Sequence, residues 1–177
     1  MIRDLVAYEG NVGTLAFGVE QLAAALSGNP PRLHALVAED DQGLIGFVSY
    51  TIDFAIWTGG DVVRVDDVFV RARARGTGAG TGLMLRIAEL ALAGGMTCRW
   101  EIEPSNLGAQ YFYGTLGVDI REKTVARWSE PAMRARSRER RAHSGSAGEA
   151  CLGFARRTIP TPPIRSQSLT QVSSCLL

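Results

Sequence analysis

The residues with the means to do chemistry lie close together in one stretch, Val65–Leu85, VDDVFVRARARGTGAGTGLML. It holds two carboxylates (Asp66, Asp67), three guanidiniums (Arg71, Arg73, Arg75) and four glycines (Gly76, Gly78, Gly80, Gly82). An apolar, β-branched run (Val65, Val68, Phe69, Val70) passes through the arginine-rich turn into the glycines and then into a helical pattern from Leu83. A strand that turns through glycines into a helix leaves several backbone N–H groups unpaired and aimed one way, with the helix dipole behind them. Such donors bind an anion, and a pyrophosphate fits. Glycine is required where side chains would block close approach. A triphosphatase loop is excluded, because no Gly-Lys-Ser/Thr follows. A dinucleotide fingerprint would need a third glycine where Leu83 stands, although Glu101 is about the right distance onward.

The elements that must position this stretch can be read on either side of it. Ile2–Gly10 is a short helix-compatible piece, and Phe17–Leu26 is a helix stopped by Ser27-Gly28-Asn29-Pro30-Pro31. His34–Glu39 and Gly43–Ile52 read as two strands of a hairpin, and Val62–Val70 as a long third strand. Leu83–Leu92 is a helix closed by Gly94-Gly95, and Thr97–Ile102 a strand. Pro104-Ser105-Asn106 opens a further short helix, with Ser105 or Asn106 as its cap, that stops at Leu116-Gly117. Val118–Ile120 and Thr124–Trp128 are expected to form two last strands.

At 177 residues, 46% of them hydrophobic and 21% charged, the chain has the size and composition of a globular domain with a sizeable core. It has no apolar run long enough for a membrane span and no secretory signal pattern at the N-terminus. Three cysteines (Cys98, Cys151, Cys175) without metal-ligand spacing read as free thiols of a reducing compartment, so a cytoplasmic location and no metal are expected. The net charge of +1 conceals an acidic body and a basic tail. Residues 1–128 hold 11 Lys and Arg against 15 Asp and Glu, while 129–177 hold 8 Arg against 3 Glu. An acidic body favours a small cationic substrate. The tail, with five arginines between Arg134 and Arg141, reads as mostly disordered, and its lack of interleaved aromatics argues against a nucleic-acid partner.

A second motif, Asn106-x-x-Ala109-x-x-Phe112-Tyr113-x-x-Leu116-Gly117-Val118, follows the Arg75-x-x-Gly78-x-Gly80 loop. Together the two resemble the GNAT N-acetyltransferase superfamily. Within it, Val65-Asp66-Asp67-Val68-Phe69-Val70 directly before the glycine loop is most similar to the diamine/polyamine (spermidine/spermine) and thialysine acetyltransferases. The resemblance covers roughly residues 2–128. It implies an α+β, three-layer fold: a mixed, mainly antiparallel central sheet flanked by helices, here without the family's first strand. The tail after Trp128 does not look like the family's C-terminal elements, and Asp66 stands where the family usually has Glu.

What the resemblance implies for function is acetyl transfer from acetyl-CoA to the primary amine of a small di- or polyamine. The alternatives are another amine (an amino acid, an antibiotic or a protein) and a non-catalytic acyl-CoA binder. The family's pattern assigns acetyl-CoA to Val68, Phe69, Val70, Arg75, Gly76, Thr77, Gly78, Ala79, Gly80 and Asn106. The Val68 N–H would polarise the thioester carbonyl. Asp66 is the candidate base, with Asp67 as the alternative, because an ammonium must lose a proton before it can attack. Strand alternation suggests that only one of these two faces the site. Tyr113 is the candidate acid for the leaving thiolate. Asp53, Glu101 and Glu103 could meet a second amine, and Arg71 and Arg73 either the 3′-phosphate of CoA or solvent. His34, Phe47, Trp100 and Cys98 read as structural. The resemblance also implies a homodimer.

Overall fold

A computed structural model describes residues 1–8, 10 and 18–144. The chain divides into two compact units with the boundary between Lys123 and Thr124. In the first, a four-stranded sheet in the order β1-β2-β3-β4 comprises β1 (His34–Asp40), β2 (Gly43–Ala55), β3 (Gly60–Val70) and β4 (Thr97–Arg99). β1, β2 and β3 pair antiparallel as consecutive hairpins, whereas β4 runs parallel to β3. That parallel pair needs a crossover, and α3 (Ala79–Ala93) supplies it. Before β1 lie α1 (Ile2–Tyr8) and α2 (Val19–Ser27), with no strand among the described residues there. Phe17, expected to begin the second helix, lies outside the described residues.

The core sits between α3 and one face of the sheet. Leu83, Ile87 and Ala91, spaced at helical intervals, pack on Val48, Tyr50, Val63 and Val65. On the other face Leu5 of α1 packs with Phe47 and Phe69. α3 approaches the sheet closely at Gly46. A β-carbon there would stand 3.0 Å from the Phe69 carbonyl oxygen and 3.2 Å from Leu83 Cδ1.

Three expectations need correction. β4 stops at Arg99 rather than reaching Ile102, and residues 118–129 form neither helix nor strand, so the strands expected at Val118–Ile120 and Thr124–Trp128 are absent. Those segments are short and outside any hairpin signal, and a strand without a paired neighbour has no ladder to stabilise it. The arginine-rich stretch is a helix, α5 (Glu130–Ser144), at the start of the tail expected to be disordered. The rest of that tail, 145–177, lies outside the described residues. In α5 the arginines are spaced for helical ion pairs, Glu130 with Arg134 and Arg136 with Glu139. The first helical bond runs from the Met133 N–H to the Ser129 carbonyl at 2.9 Å.

Gly46→Ala is expected to lower unfolding stability by about 1–3 kcal/mol, because neither the Phe69 carbonyl nor the packed Leu83 can yield freely. Gly82→Ala, whose β-carbon meets nothing within 4 Å, should be neutral or stabilising by up to ~1 kcal/mol in the helix. Urea unfolding of the two variants beside wild type checks both.

Candidate active site

The site begins with an irregularity in β3. Asp67 pairs with Ser49 and Val65 with Tyr50, so Asp66 is an extra residue with no partner on β2. This β-bulge inverts the strand's alternation. Before it, Val63 and Val65 face α3; after it, Val68 and Val70 do. The two aspartates straddle the inversion, and both reach the face away from α3. Asp67 accepts a hydrogen bond from Ser49 Oγ at 2.8 Å, and Ser49 shares its face with Phe47 and Phe69. Asp66 Oδ1 lies 3.5 Å from Arg64 Nε, and Arg64 points opposite to Val63 and Val65. The expectation that only one of the two carboxylates could face the site is therefore corrected, since the bulge removes the alternation it relied on. Burial raises the Asp66 carboxyl above its ordinary pKa; Arg64 opposes that rise, and Asp67 and Asp53 add to it.

Just past the bulge the sheet opens. β4 pairs with β3 only at Val62, Val63 and Arg64, so the edge of β3 from Val65 to Val70 has no strand beside it. The Arg71 N–H donates to the Ile45 carbonyl on β2 at 2.8 Å. By strand alternation, the N–H groups of Phe69 and Arg71 point to β2, and those of Val68 and Val70 point into the gap. The Val70 carbonyl also faces the gap, where Arg75 Nε donates to it at 3.0 Å.

At the end of the gap stands the glycine turn. Gly76 and Gly78 take positive φ angles of 79° and 93°, a region other residues enter only at a cost. The first bond into α3 runs from the Gly82 N–H to the Gly78 carbonyl at 2.8 Å. The N–H groups of Ala79, Gly80 and Thr81 therefore have no backbone acceptor among the described residues, and they stand at the positive end of a 15-residue helix. Thr77 Oγ1 is turned inward to the Ala74 carbonyl at 2.8 Å. These orphan donors and the open β3 edge fit a ligand carrying a pyrophosphate and an extended polar arm.

Of the arginines, Arg71 pairs with Asp4 at 3.1 Å and Arg73 with Asp40 through two bonds. Each is already engaged within the fold rather than free for a phosphate. Arg75 lies 4.4 Å over the Tyr8 ring.

α4 (Leu107–Thr115) meets the start of α3 through Phe112. Asn106, not Ser105, is its cap, with Oδ1 accepting from the Ala109 N–H at 3.0 Å. Phe112 reaches the first turn of α3, where a β-carbon on Gly80 would lie 3.4 Å from its ring. Tyr113 is buried, its ring 5.0 Å from both Phe112 and Trp100. Burial pushes its phenol up to about 12. The fold thus brings Gly80, Phe112, Tyr113 and Trp100 together, while Asp66 belongs to a separate cluster with Arg64, Asp53 and Asp67. His34 stacks on Tyr50 at 5.0 Å and Phe47 is buried, both structural as expected. Glu101 and Glu103 are exposed. Sequence reasoning missed Arg64; its signal was the lone cation of the strand, two residues from Asp66.

A model of the acetyltransferase (GNAT) family matches residues 7–118, which include the bulge, the glycine turn and α4. The chain belongs to the GNAT acetyltransferase family. It is an acetyl-CoA-dependent N-acetyltransferase of that fold. It is 32% identical over 127 residues to the thialysine N-epsilon-acetyltransferase of Sus scrofa, covering 67% of this chain and 74% of the pig protein. An integron cassette protein from V. cholerae superposes with a TM-score of 0.61 at 28% identity, over 76% of this chain and 85% of its own. An aminoglycoside acetyltransferase from an uncultured soil sample has the same fold, with a TM-score of 0.63 at 16% identity, over 72% and 84%.

Linkage makes the buried phenol testable. Tyr113 keeps its proton to about 12 in the folded state but only to about 10 when unfolded. Between those values the folded state binds more protons, so its stability falls as pH rises. The Tyr113 contribution is complete below pH ~10 and lost toward ~12, by at most about 2.7 kcal/mol. Over this range the unfolding free energy of wild type should fall relative to that of Tyr113→Phe; parallel curves would contradict the shift.

Proposed function

We propose that this N-acetyltransferase transfers acetyl directly to the primary amine of a small molecule, either a di- or polyamine or an amino acid with a side-chain amine. The observation that carries the reading is the gap beside β3, where the inward N–H of Val68 lies between the Asp66 bulge and the orphan donors at the start of α3. Acetyl-CoA, when bound, supplies an acetyl group activated as a thioester. The N–H groups of Gly78, Ala79 and Gly80 would hold the pyrophosphate, and the β3 edge at Val68–Val70 would hold the pantetheine arm. Arg75, over Tyr8, braces this edge through the Val70 carbonyl.

In the transfer, the amine nitrogen bonds to the acetyl carbon as the carbon–sulfur bond breaks. Asp66 takes the proton that the ammonium gives up, and its raised affinity for protons suits it to that task. The Val68 N–H stabilises the charge gathering on the acetyl oxygen. The Tyr113 phenol, kept protonated well above neutral pH by burial, gives its proton to the departing sulfur and is restored by the second proton that the nitrogen sheds as the amide forms. The named substrate of the pig relative, thialysine, favours a second acceptor class, an amino acid with a side-chain amine.

Thiol release from acetyl-CoA over a panel of amines tests the reading. Turnover of a diamine, spermidine or thialysine should fall by about 10²-fold in kcat for Tyr113→Phe and as steeply for Asp66→Asn, in line with a positioned acid or base. Acetyl-CoA binding without thiol release on any amine would sink the proposal.

A further inference from the structure

The face of β3 away from α3 holds a guanidinium among carboxylates. Arg64 Nε stands 3.4 Å from Asp53 Oδ2 and 3.5 Å from Asp66 Oδ1. Register explains the meeting. Asp53 lies opposite Val62 and Thr51 opposite Arg64, so all four share one face, and the bulge brings Asp66 to the same face. Asp67, held by Ser49, adds a third carboxylate to the same face. All three members of the Asp53–Arg64–Asp66 bridge remain partly open to solvent, so a ligand can reach them. The terminal nitrogens of Arg64 make no hydrogen bond among the described residues, leaving the outer prongs of a rigid, permanently charged fork unused.

We propose that Arg64 is a specificity-determining residue of the acceptor site, selecting primary amines that carry a carboxylate over di- and polyamines. The inference rests on Asp66 as the base that receives the reacting amine. With one ammonium at Asp66, the neighbouring anionic position at Asp53 is where the second ammonium of a diamine would find its counter-charge. Arg64 fills that position. A polycation must place like charge beside a guanidinium, an arrangement that disfavours the wrong partner. An acceptor with a carboxylate meets the free prongs of the fork, whose geometry matches a carboxylate with two parallel bonds. A cluster of aspartates alone would select for polycations; the arginine within it reverses that choice.

The test uses the full chain, saturating acetyl-CoA and thiol release, with thialysine and spermidine as the two probes. Arg64→Gln should raise KM for thialysine about tenfold and lower KM for spermidine about fivefold, as expected for one partly exposed charge. Arg64→Lys should hold the wild-type order of preference, because the charge remains. Asp53→Asn, which frees the fork further, should lower KM for thialysine and guards against a misfolded Arg64→Gln. An unchanged ratio of kcat/KM between the two amines in Arg64→Gln overturns the proposal. So does an equal fall for both carried by kcat alone, which would mean that Arg64 acts only through Asp66. Wild type inactive on both amines would overturn the acceptor assignment itself, and Arg64's role with it, an outcome separable from a shifted or unshifted ratio.

Discussion

One extra residue in β3 decides where everything else can go. With Asp66 inserted opposite no partner on β2, the strand's inward and outward positions exchange halfway along its length. The apolar residues still reach the core on both sides of the exchange, since Val63 and Val65 precede it and Val68 and Val70 follow it. The sequence accommodates this by placing two polar residues in a row at the point of inversion, where a regular strand would bury one of them. The bulge also increases local twist, and β3 has lost β4 as a neighbour by the time it is reached.

The opening between β3 and β4 is useful because α3 begins at its end. Its first turn has orphan donors by the geometry of any helix, but the αL conformation at Gly78 turns the chain sharply and leaves the donors uncovered. Gly80 serves a different purpose, allowing Phe112 to close over the turn and with it to fix Tyr113 and Trp100. Two glycines of one motif thus answer two separate constraints, a backbone angle and a close approach. The arginines between strand and helix fasten the turn to its surroundings: Arg71 to Asp4 of α1, Arg73 to Asp40 at the end of β1, Arg75 to Tyr8 and the Val70 carbonyl.

This division explains what could be read from the amino-acid sequence. The three hairpin strands, α3 and α4 were legible because each carries a strong period or a strong terminator, such as Gly94-Gly95 or Asn106. The start of α3 was read four residues late, at Leu83, because glycines disguise a helical turn whose stability comes from tertiary contacts rather than propensity. The last two strands were not legible because pairing is a property of two segments, and neither supplies its own neighbour. In α5 the composition pointed to disorder, yet the spacing of Glu130, Arg134, Arg136 and Glu139 already held the helical pairs. At the site, motif residues could be named, but their direction could not. The facing of Asp66 and Asp67 depends on a bulge that no local pattern announces, and Arg71 and Arg73 have partners 67 and 33 residues away in the chain.

The acidic excess of the body acquires a local meaning from the same geometry. Counted along the chain, the carboxylates suggest a general attraction for cations. Counted on the face of the sheet beside the bulge, Asp53, Asp66 and Asp67 share their space with Arg64. Burial raises the proton affinity of Asp66, the guanidinium opposes that rise, and the repulsion of Asp67 and Asp53 adds to it. A base for an ammonium needs this balance. The bulge, by bringing both aspartates to one face, makes that compromise possible within four residues of a single strand.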